Sequence, residues 1–320
     1  MGILRSRLFG ISRRETLFAT RGFPDCPALA RKHLERIGAA FVDGYNAALD
    51  RGLNDGLIST LDDTGTELRG FAYEGAAMAF ALLDTLTPWQ RNRVGQFLLE
   101  ADHHVYMIHV GIGFALARLK RPIEAAMARM HPLYRWLVVD GYGFHQGFFH
   151  HAEAFDQQRV PARISGYARR VFDQGLGRSL WFVAGAQSVR IIQHIENFPA
   201  DRRADLWSGV GLACAYAGGT SRAGLERLCN AAGENLAHFA QGAAFAAKAR
   251  VRADMIMPHT DSTCRAACNL SARDAAELTD MAKEGLPEVD ADSSAAEPAY
   301  ETWRGRVRDA CALATGSAAA

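Results

Sequence analysis

The sequence predicts an all-α protein, and three observations support this prediction. Apolar segments rich in small residues recur at a nearly fixed interval, these segments are longer than typical strands, and strand signals are scarce. A period near 33 residues is typical of stacked helix pairs, in which each unit buries its apolar face against its neighbours. We therefore expect helix-pair repeats of about 33 residues that form a curved solenoid or an α/α ring.

Six segments carry the repeat, and their aligned positions are separated by 34, 34, 33, 33 and 31 residues. The aligned residues are Phe80, Phe114, Phe148, Trp181, Cys214 and Phe245. Asp140, Asp173 and Asp205 keep the same interval, and because Asp is a favourable N-cap we expect a helix to start at each of them. The Arg-bearing stretches between the segments, such as 88–104 and 162–172, are expected to form the outer helix of each pair.

The chain divides into three parts by composition. Residues 1–24 form a basic arm, 25–283 a helical-repeat domain, and 284–320 a low-complexity tail. We expect this tail to be mobile, with one short helix near 303–313, because Pro, Ser, Asp and Ala bury little apolar surface. The arm places apolar residues on one helical face, so it is either a strap on the main domain or a peripheral membrane or partner contact.

Composition narrows the function classes. The 320 residues are 49% apolar, which is ample for a sizeable core, and the net charge of +1 argues against a nucleic-acid binder. Six irregularly spaced cysteines indicate a reducing compartment, and we expect a bacterial, cytoplasmic protein without a secretory signal. The longest apolar stretch, 105–119, is too short to span a bilayer.

No standard motif for phosphate binding, nucleophilic catalysis or zinc hydrolysis is present, and we expect no cofactor. Glu100 and His103 form one ExxH pair, whereas His150 and Glu153 form the reversed spacing. A dinuclear carboxylate centre needs two ExxH motifs, so no metal ligand is assigned. A metal-dependent oxidase is kept as an alternative.

The small-residue helices also carry groups that suit a small-molecule pocket. Glu74, His145 and Asp205 are the catalytic candidates, because carboxyl and imidazole groups exchange protons. The substrate-binding candidates are Tyr73, His109, Tyr142, Phe144, Phe148, Arg178, Trp181 and Trp207. If these helices line one concave surface, the polar groups converge on a pocket with aromatic walls.

The segment DGYGFHQGFFHH is the densest part of this set. At helical spacing Tyr142, His145 and Phe149 share one face, whereas Phe144 and Phe148 share the neighbouring one. We expect the first face to point into the pocket, where His145 would titrate near physiological pH.

Four segments, 69–84, 137–149, 172–186 and 205–219, resemble the UnbL-like family of unknown function. The resemblance extends over roughly residues 3–255 and includes the opening RSRLFGISRRETLFATRGF. That family is associated with bacterial gene clusters for enediyne polyketides and related natural products. The resemblance implies a biosynthetic step on a polyene or other apolar polyketide-like intermediate, together with other proteins of the same cluster. It implies no catalytic residues.

The leading functional hypothesis is a biosynthesis protein that holds an apolar intermediate in a helical, hydrophobic pocket. If it is an enzyme, protonation or cyclisation of a polyene is the most natural reaction, which makes it cyclase- or lyase-like. Glu74 or Asp205 would be the acid, and aromatic faces would stabilise positive charge. The alternative from another class is a non-catalytic scaffold for partner proteins.

Overall fold

The computed structural model describes residues 2–87, 89, 92–128, 130–286 and 297–316. Over these residues it is built of α-helices and short 3₁₀ or π turns without a strand, which confirms the all-α prediction. The helices are α1 (Gly2–Phe9), α2 (Phe18–Arg21), α3 (Ala28–Arg51), α4 (Asp55–Asp62), α5 (Arg69–Leu86), α6 (Arg93–Glu100), α7 (Val105–Arg118), α8 (Glu124–Met127), α9 (Trp136–Phe149), α10 (Tyr167–Val183), α11 (Ser188–Glu196), α12 (Ala200–Ala217), α13 (Arg222–Ala232), α14 (Leu236–Arg252), α15 (Pro258–Cys268), α16 (Ala272–Lys283) and α17 (Ala299–Gly316). None of the helices in the described ranges is both long and apolar enough to cross a membrane.

Seven helices form the centre of the fold. In chain order α3, α5, α7, α9, α10, α12 and α14 each pack against the next. The six aligned repeat positions fall one each on α5, α7, α9, α10, α12 and α14, so the sequence repeat located six of these seven helices. The curved solenoid or ring remains a prediction.

Glycines set the distance between these helices. A methyl group at Gly175 of α10 would lie 2.0 Å from the Asp140 carbonyl oxygen of α9, and one at Gly177 would lie 2.1 Å from the Leu206 carbonyl oxygen of α12. Residues two apart lie on nearly opposite sides of a helix, so one glycine contacts the preceding helix and the other the following helix. Five other glycines make the same contact with the preceding helix: Gly75, Gly111, Gly141, Gly209 and Gly242. Four others make the same contact with the following helix: Gly44, Gly113, Gly143 and Gly211.

The expected helix starts at three aspartates are wrong. Asp140, Asp173 and Asp205 lie inside α9, α10 and α12, at most 2% exposed. A carboxylate in a low-dielectric interior needs a partner of opposite charge, and here each has an arginine. The pairs are Asp140–Arg178, Asp173–Arg202 and Asp205–Arg304.

The N-terminal segment crosses α3 as a strap. The Asn46 side chain accepts a hydrogen bond from the Ile11 N–H at 3.1 Å and donates one to the Ile11 carbonyl at 2.8 Å. Arg13 pairs with Asp43, with 2.6 Å between Nε and Oδ1, and Phe18 is buried. These contacts hold residues 11–18 against the central helices.

The sequence predicts a mobile tail from residue 284 onward, but helix α17 within it is packed against the rest of the protein. Tyr300, Trp303 and Val307 are at most 2% exposed, and the Trp303 Nε1–H donates a hydrogen bond to the Thr279 carbonyl at 2.8 Å. Their spacing of three and four places them on one helical face, which gives this polar segment an apolar surface to bury. The rest of the predicted tail, 287–296 and 317–320, lies outside the described residues.

Overpacking tests the contacts between central helices. Ala213 of α12 is 3% exposed, so Ala213→Leu should lower the free energy of unfolding by about 1–3 kcal/mol. Urea denaturation measures this loss, and Ala223→Leu at an exposed position of α13 is the matched control. Equal midpoints for the two variants would contradict the packing described here.

Candidate functional site

A cavity lies between α3, α5, α7, α9 and α10, and we refer to it as the first cavity. It has about 730 Å³ of space free of protein atoms, with the open solvent at its mouth included. The space is narrow, since only about 60 Å³ can be reached by the centre of a water molecule. Its aromatic lining residues are Phe18, Phe41, Phe71, Phe114, Phe144, Phe148, Phe149 and Phe182.

The N-terminal strap forms part of the wall. Ile11, Glu15, Thr16 and Phe18 line the first cavity, opposite the phenylalanines of α7 and α9. The strap therefore builds the site as well as the fold.

The glycine contacts determine which residues face inward. Each of the six central helices from α5 onward has one glycine that contacts the preceding helix. On every one of them, the residue three positions after this glycine lines a cavity. These residues, which we name the inward row, are Met78, Phe114, Phe144, Arg178, Leu212 and Phe245. Arg178 is the only charged member of this row, and it is 5% exposed.

Arg178 lies between two carboxyl groups. Its Nη1 donates a hydrogen bond to Asp140 Oδ1, and its Nη2 lies 3.9 Å from Glu74 Oε1. Gln174 Nε2 donates to the other Asp140 oxygen at 2.7 Å. The Arg178 guanidinium also lies over the Phe144 ring, 5.2 Å from its centre.

Burial favours the protonated form of Glu74. It is 3% exposed, and burial raises its pKa to about 8, although Arg178 acts in the opposite direction. The charges of Arg178 and Asp140 offset each other. The cluster therefore combines a neutral carboxylic acid with a compensated ion pair, beside an apolar cavity.

A row of buried polar side chains connects the cluster of Glu74, Asp140 and Arg178 to α17. Ser208 Oγ lies 3.3 Å from Gln174 Oε1 and 2.9 Å from Gln241 Oε1, and Arg304 Nε donates to Gln241 Oε1 at 3.3 Å. Gln174, Ser208 and Gln241 each directly precede a glycine that contacts the previous helix, as Glu74 and Asp140 do. The same backbone contacts thus position the polar row and the inward row.

Four of the predicted site residues come together. Glu74 and Arg178 face each other at the first cavity, and Phe144 and Phe148 form its wall. These residues come from three helices, α5, α9 and α10.

His145 lies outside the cavity lining. Phe144, Phe148 and Phe149 of α9 line the first cavity, whereas His145 does not line it; its ring centre lies 4.7 Å from that of Phe149. Burial lowers the pKa of His145 to about 3, so it does not titrate near physiological pH as expected.

Asp205 belongs to a separate ion cluster. Its carboxylate accepts hydrogen bonds from Arg170 Nε at 3.1 Å and Arg304 Nη2 at 2.7 Å. Although burial acts to raise it, these two guanidinium groups hold the pKa of Asp205 below its usual value. Asp205 is therefore ionised and has no proton to donate, so we leave it out of the site.

The other predicted binding residues make contacts elsewhere in the described structure, and none of them lines the first cavity. The Tyr73 hydroxyl donates a hydrogen bond to Asp62 at 2.9 Å, and the Trp181 Nε1–H donates one to the Gly218 carbonyl at 2.8 Å. His109 Nδ1 lies 2.7 Å from the Val105 carbonyl oxygen. The Tyr142 ring lies beside Phe172, and the Trp207 ring lies beside Phe239.

The histidine and carboxylate pairs do not assemble a metal centre. In the described ranges, no three His, Cys, Asp or Glu side chains are grouped so that they could hold a metal ion. Glu100 with His103 and His150 with Glu153 are thus not brought into one ligand set.

Sequence reasoning missed Asp140 and Phe114 as site residues. Phe114 follows Gly111 by three positions, as Phe144 follows Gly141 and Arg178 follows Gly175. Aligning the segments on these glycines identifies the inward row, which alignment on the large aromatic residues does not.

No curated protein and no solved structure matches this chain. A match does exist among protein families, over residues 1–311. The family is described as a protein of unknown function, DUF1702. The chain belongs to the DUF1702 family.

Proposed function

We propose that the protein binds an apolar, polyene-like small molecule in the first cavity and that Glu74 protonates it, which initiates isomerisation or cyclisation. The observation that carries this proposal is a buried carboxyl group, that of Glu74, in the lining of a cavity walled by phenylalanines; burial raises its pKa to about 8. A carboxylic acid whose pKa lies near the working pH is suited to general-acid catalysis.

The reaction balances without another reactant. Glu74 transfers its proton to an alkene carbon, a C–H bond forms, and the π bond becomes a carbocation. Aromatic faces stabilise the cation, and the cation balances the new charge of the Glu74 carboxylate, which also lies 3.9 Å from the Arg178 guanidinium. Loss of a proton from the rearranged cation to Glu74 closes the cycle, so the product is an isomer of the substrate.

The resemblance to the UnbL-like family favours an intermediate of enediyne or related polyketide biosynthesis as the natural ligand. Other proteins of the same gene cluster would then be functional partners. A non-catalytic scaffold would not need a buried acid in an apolar cavity, so we rank it second.

Infrared difference spectroscopy with trans-stilbene, a neutral apolar probe, tests the proposal. Stilbene in the first cavity should change the surroundings of Glu74 and shift the carbonyl band of its protonated carboxyl group. The band and its shift should be absent in Glu74→Gln and present in Glu124→Gln, a control at an exposed position. The proposal fails if stilbene does not bind, or if it binds without changing this band.

The pH dependence of stability gives a second test. An unfolded glutamate loses its proton near its usual pKa of 4.5, whereas folded Glu74 keeps it to about 8. The folded state therefore binds more protons in this range, and the contribution of Glu74 to stability falls as pH rises from 4.5 to about 8. Urea midpoints of wild type and Glu74→Gln, measured from pH 5 to 9, should show a shallower decline in the variant. Parallel curves would contradict the raised pKa.

A further inference from the structure

A second cavity lies on the other side of Arg178. It has about 540 Å³ of space free of protein atoms, its mouth included, and is lined mainly by apolar side chains. They include Tyr106, Val110, Leu212, Phe245 and Trp303. Nothing in the proposed reaction uses this space.

The two cavities follow one another along the same helix faces. On α9, Leu137 and Asp140 line the second cavity, and Phe144 and Phe148 line the first. Their spacing of three, four and four residues is a single face of a helix. At the helical rise of about 1.5 Å per residue, that face is roughly 16 Å long. The inward row likewise continues from one cavity into the other, with Arg178 in both linings.

Charge balance decides which ligand suits this space. Arg178 is compensated by Asp140, and Glu74 is neutral. An ionic group placed here would leave one buried charge without a partner, which is strongly unfavourable. An uncharged ligand leaves this charge balance intact. Its double bonds can lie against the Arg178 guanidinium, as the Phe144 ring does.

We infer that the two cavities are consecutive parts of one binding site, which holds an elongated, uncharged hydrocarbon chain that passes alongside Arg178. This inference rests on the proposed function for the first cavity and adds the shape and charge of the ligand.

A length series of rigid probes tests the inference. trans-Stilbene, diphenylbutadiene, diphenylhexatriene and diphenyloctatetraene are neutral and fluorescent, and each adds one double bond to the one before. A rod longer than the first cavity buries its extra carbons in the second, so affinity should rise by about tenfold or more from stilbene to diphenylhexatriene. Fluorescence titration of the full chain gives each dissociation constant. Equal affinities for all four rods in the wild type overturn the inference, whatever the variants do.

Two substitutions separate the cavities. Ala249 lines the second cavity, so in Ala249→Leu the ratio of the stilbene and diphenylhexatriene dissociation constants should fall towards one. Val42 lines the first cavity, and Val42→Phe should weaken all four rods. Ala223→Leu, on the exposed face of α13, should leave every dissociation constant unchanged, and melting temperatures confirm that each variant is folded.

The outcomes distinguish the two proposals. If Ala249→Leu retains the wild-type ratio, the second cavity is not part of the site, although the proposed function still stands. If Val42→Phe binds stilbene as tightly as the wild type, the first cavity is not the binding site and both proposals fail.

Discussion

Truncation after Leu286, which removes α17, should leave a protein without a cooperative unfolding transition. Tyr300, Trp303 and Val307 are buried, and each such side chain contributes about 1.5–3 kcal/mol. The helix also carries Arg304, whose loss leaves the buried Asp205 with one guanidinium partner fewer. The sum is comparable with the whole stability of a typical domain, about 5–15 kcal/mol.

Circular dichroism and calorimetry of the truncated chain measure this effect. Truncation after Gly316, which keeps α17 complete, is the control and should melt close to the full chain. A soluble protein truncated after Leu286 that melts cooperatively near the wild-type temperature would show that α17 contributes little to the fold.

Gly175→Ala should lower the free energy of unfolding by about 4 kcal/mol or more, which is exceptional for one methyl group. The new Cβ would lie 2.0 Å from the Asp140 carbonyl oxygen, and a backbone atom cannot rotate away as a side chain does. Relief requires α9 and α10 to separate, which disrupts the contacts between Arg178 and Asp140. Urea denaturation measures the loss.

Gly305→Ala is the matched control, because it changes the same residue type inside another helix. The nearest atom to its new Cβ is the end of the Arg308 side chain at 3.4 Å, so the added methyl group is accommodated. Alanine has the higher helix propensity, and this variant should be about 0.5–1 kcal/mol more stable than the wild type. Similar destabilisation by both substitutions would refute the argument from close helix contact.

The sequence was informative about the central helices because their packing repeats. Six apolar segments at one interval predicted six helices, and each now lies against the next. A short helix near 303–313 was predicted, but its full length and its packing were not, because the segment is polar on average and its apolar face is set by only a few residues, Trp303 and Val307 among them. Composition averages conceal such a face, whereas helical spacing shows it.

The candidate site was predicted in part. Glu74 and Arg178 could be identified because each is the single charged residue of an apolar stretch, 70–83 in α5 and 174–183 in α10. The orientation of α9 did not follow from its sequence, because both Phe144 with Phe148 and His145 with Phe149 form a plausible inward face. The contact of Gly141 with the Val110 carbonyl fixes this rotation, and it involves a neighbouring helix that local sequence does not reveal.

The glycine contacts separate the scaffold from the specificity of the site. Because neighbouring helices touch through their backbones, their spacing does not depend on the size of the side chains that face inward. Exchange of Met78, Phe114 or Leu212 for another apolar residue therefore changes the shape of a cavity without changing the backbone contacts that space the helices. A chain of this kind can be adapted to a new ligand by changing the inward row, which gives a protein engineer five apolar positions to vary beside the ion-paired Arg178.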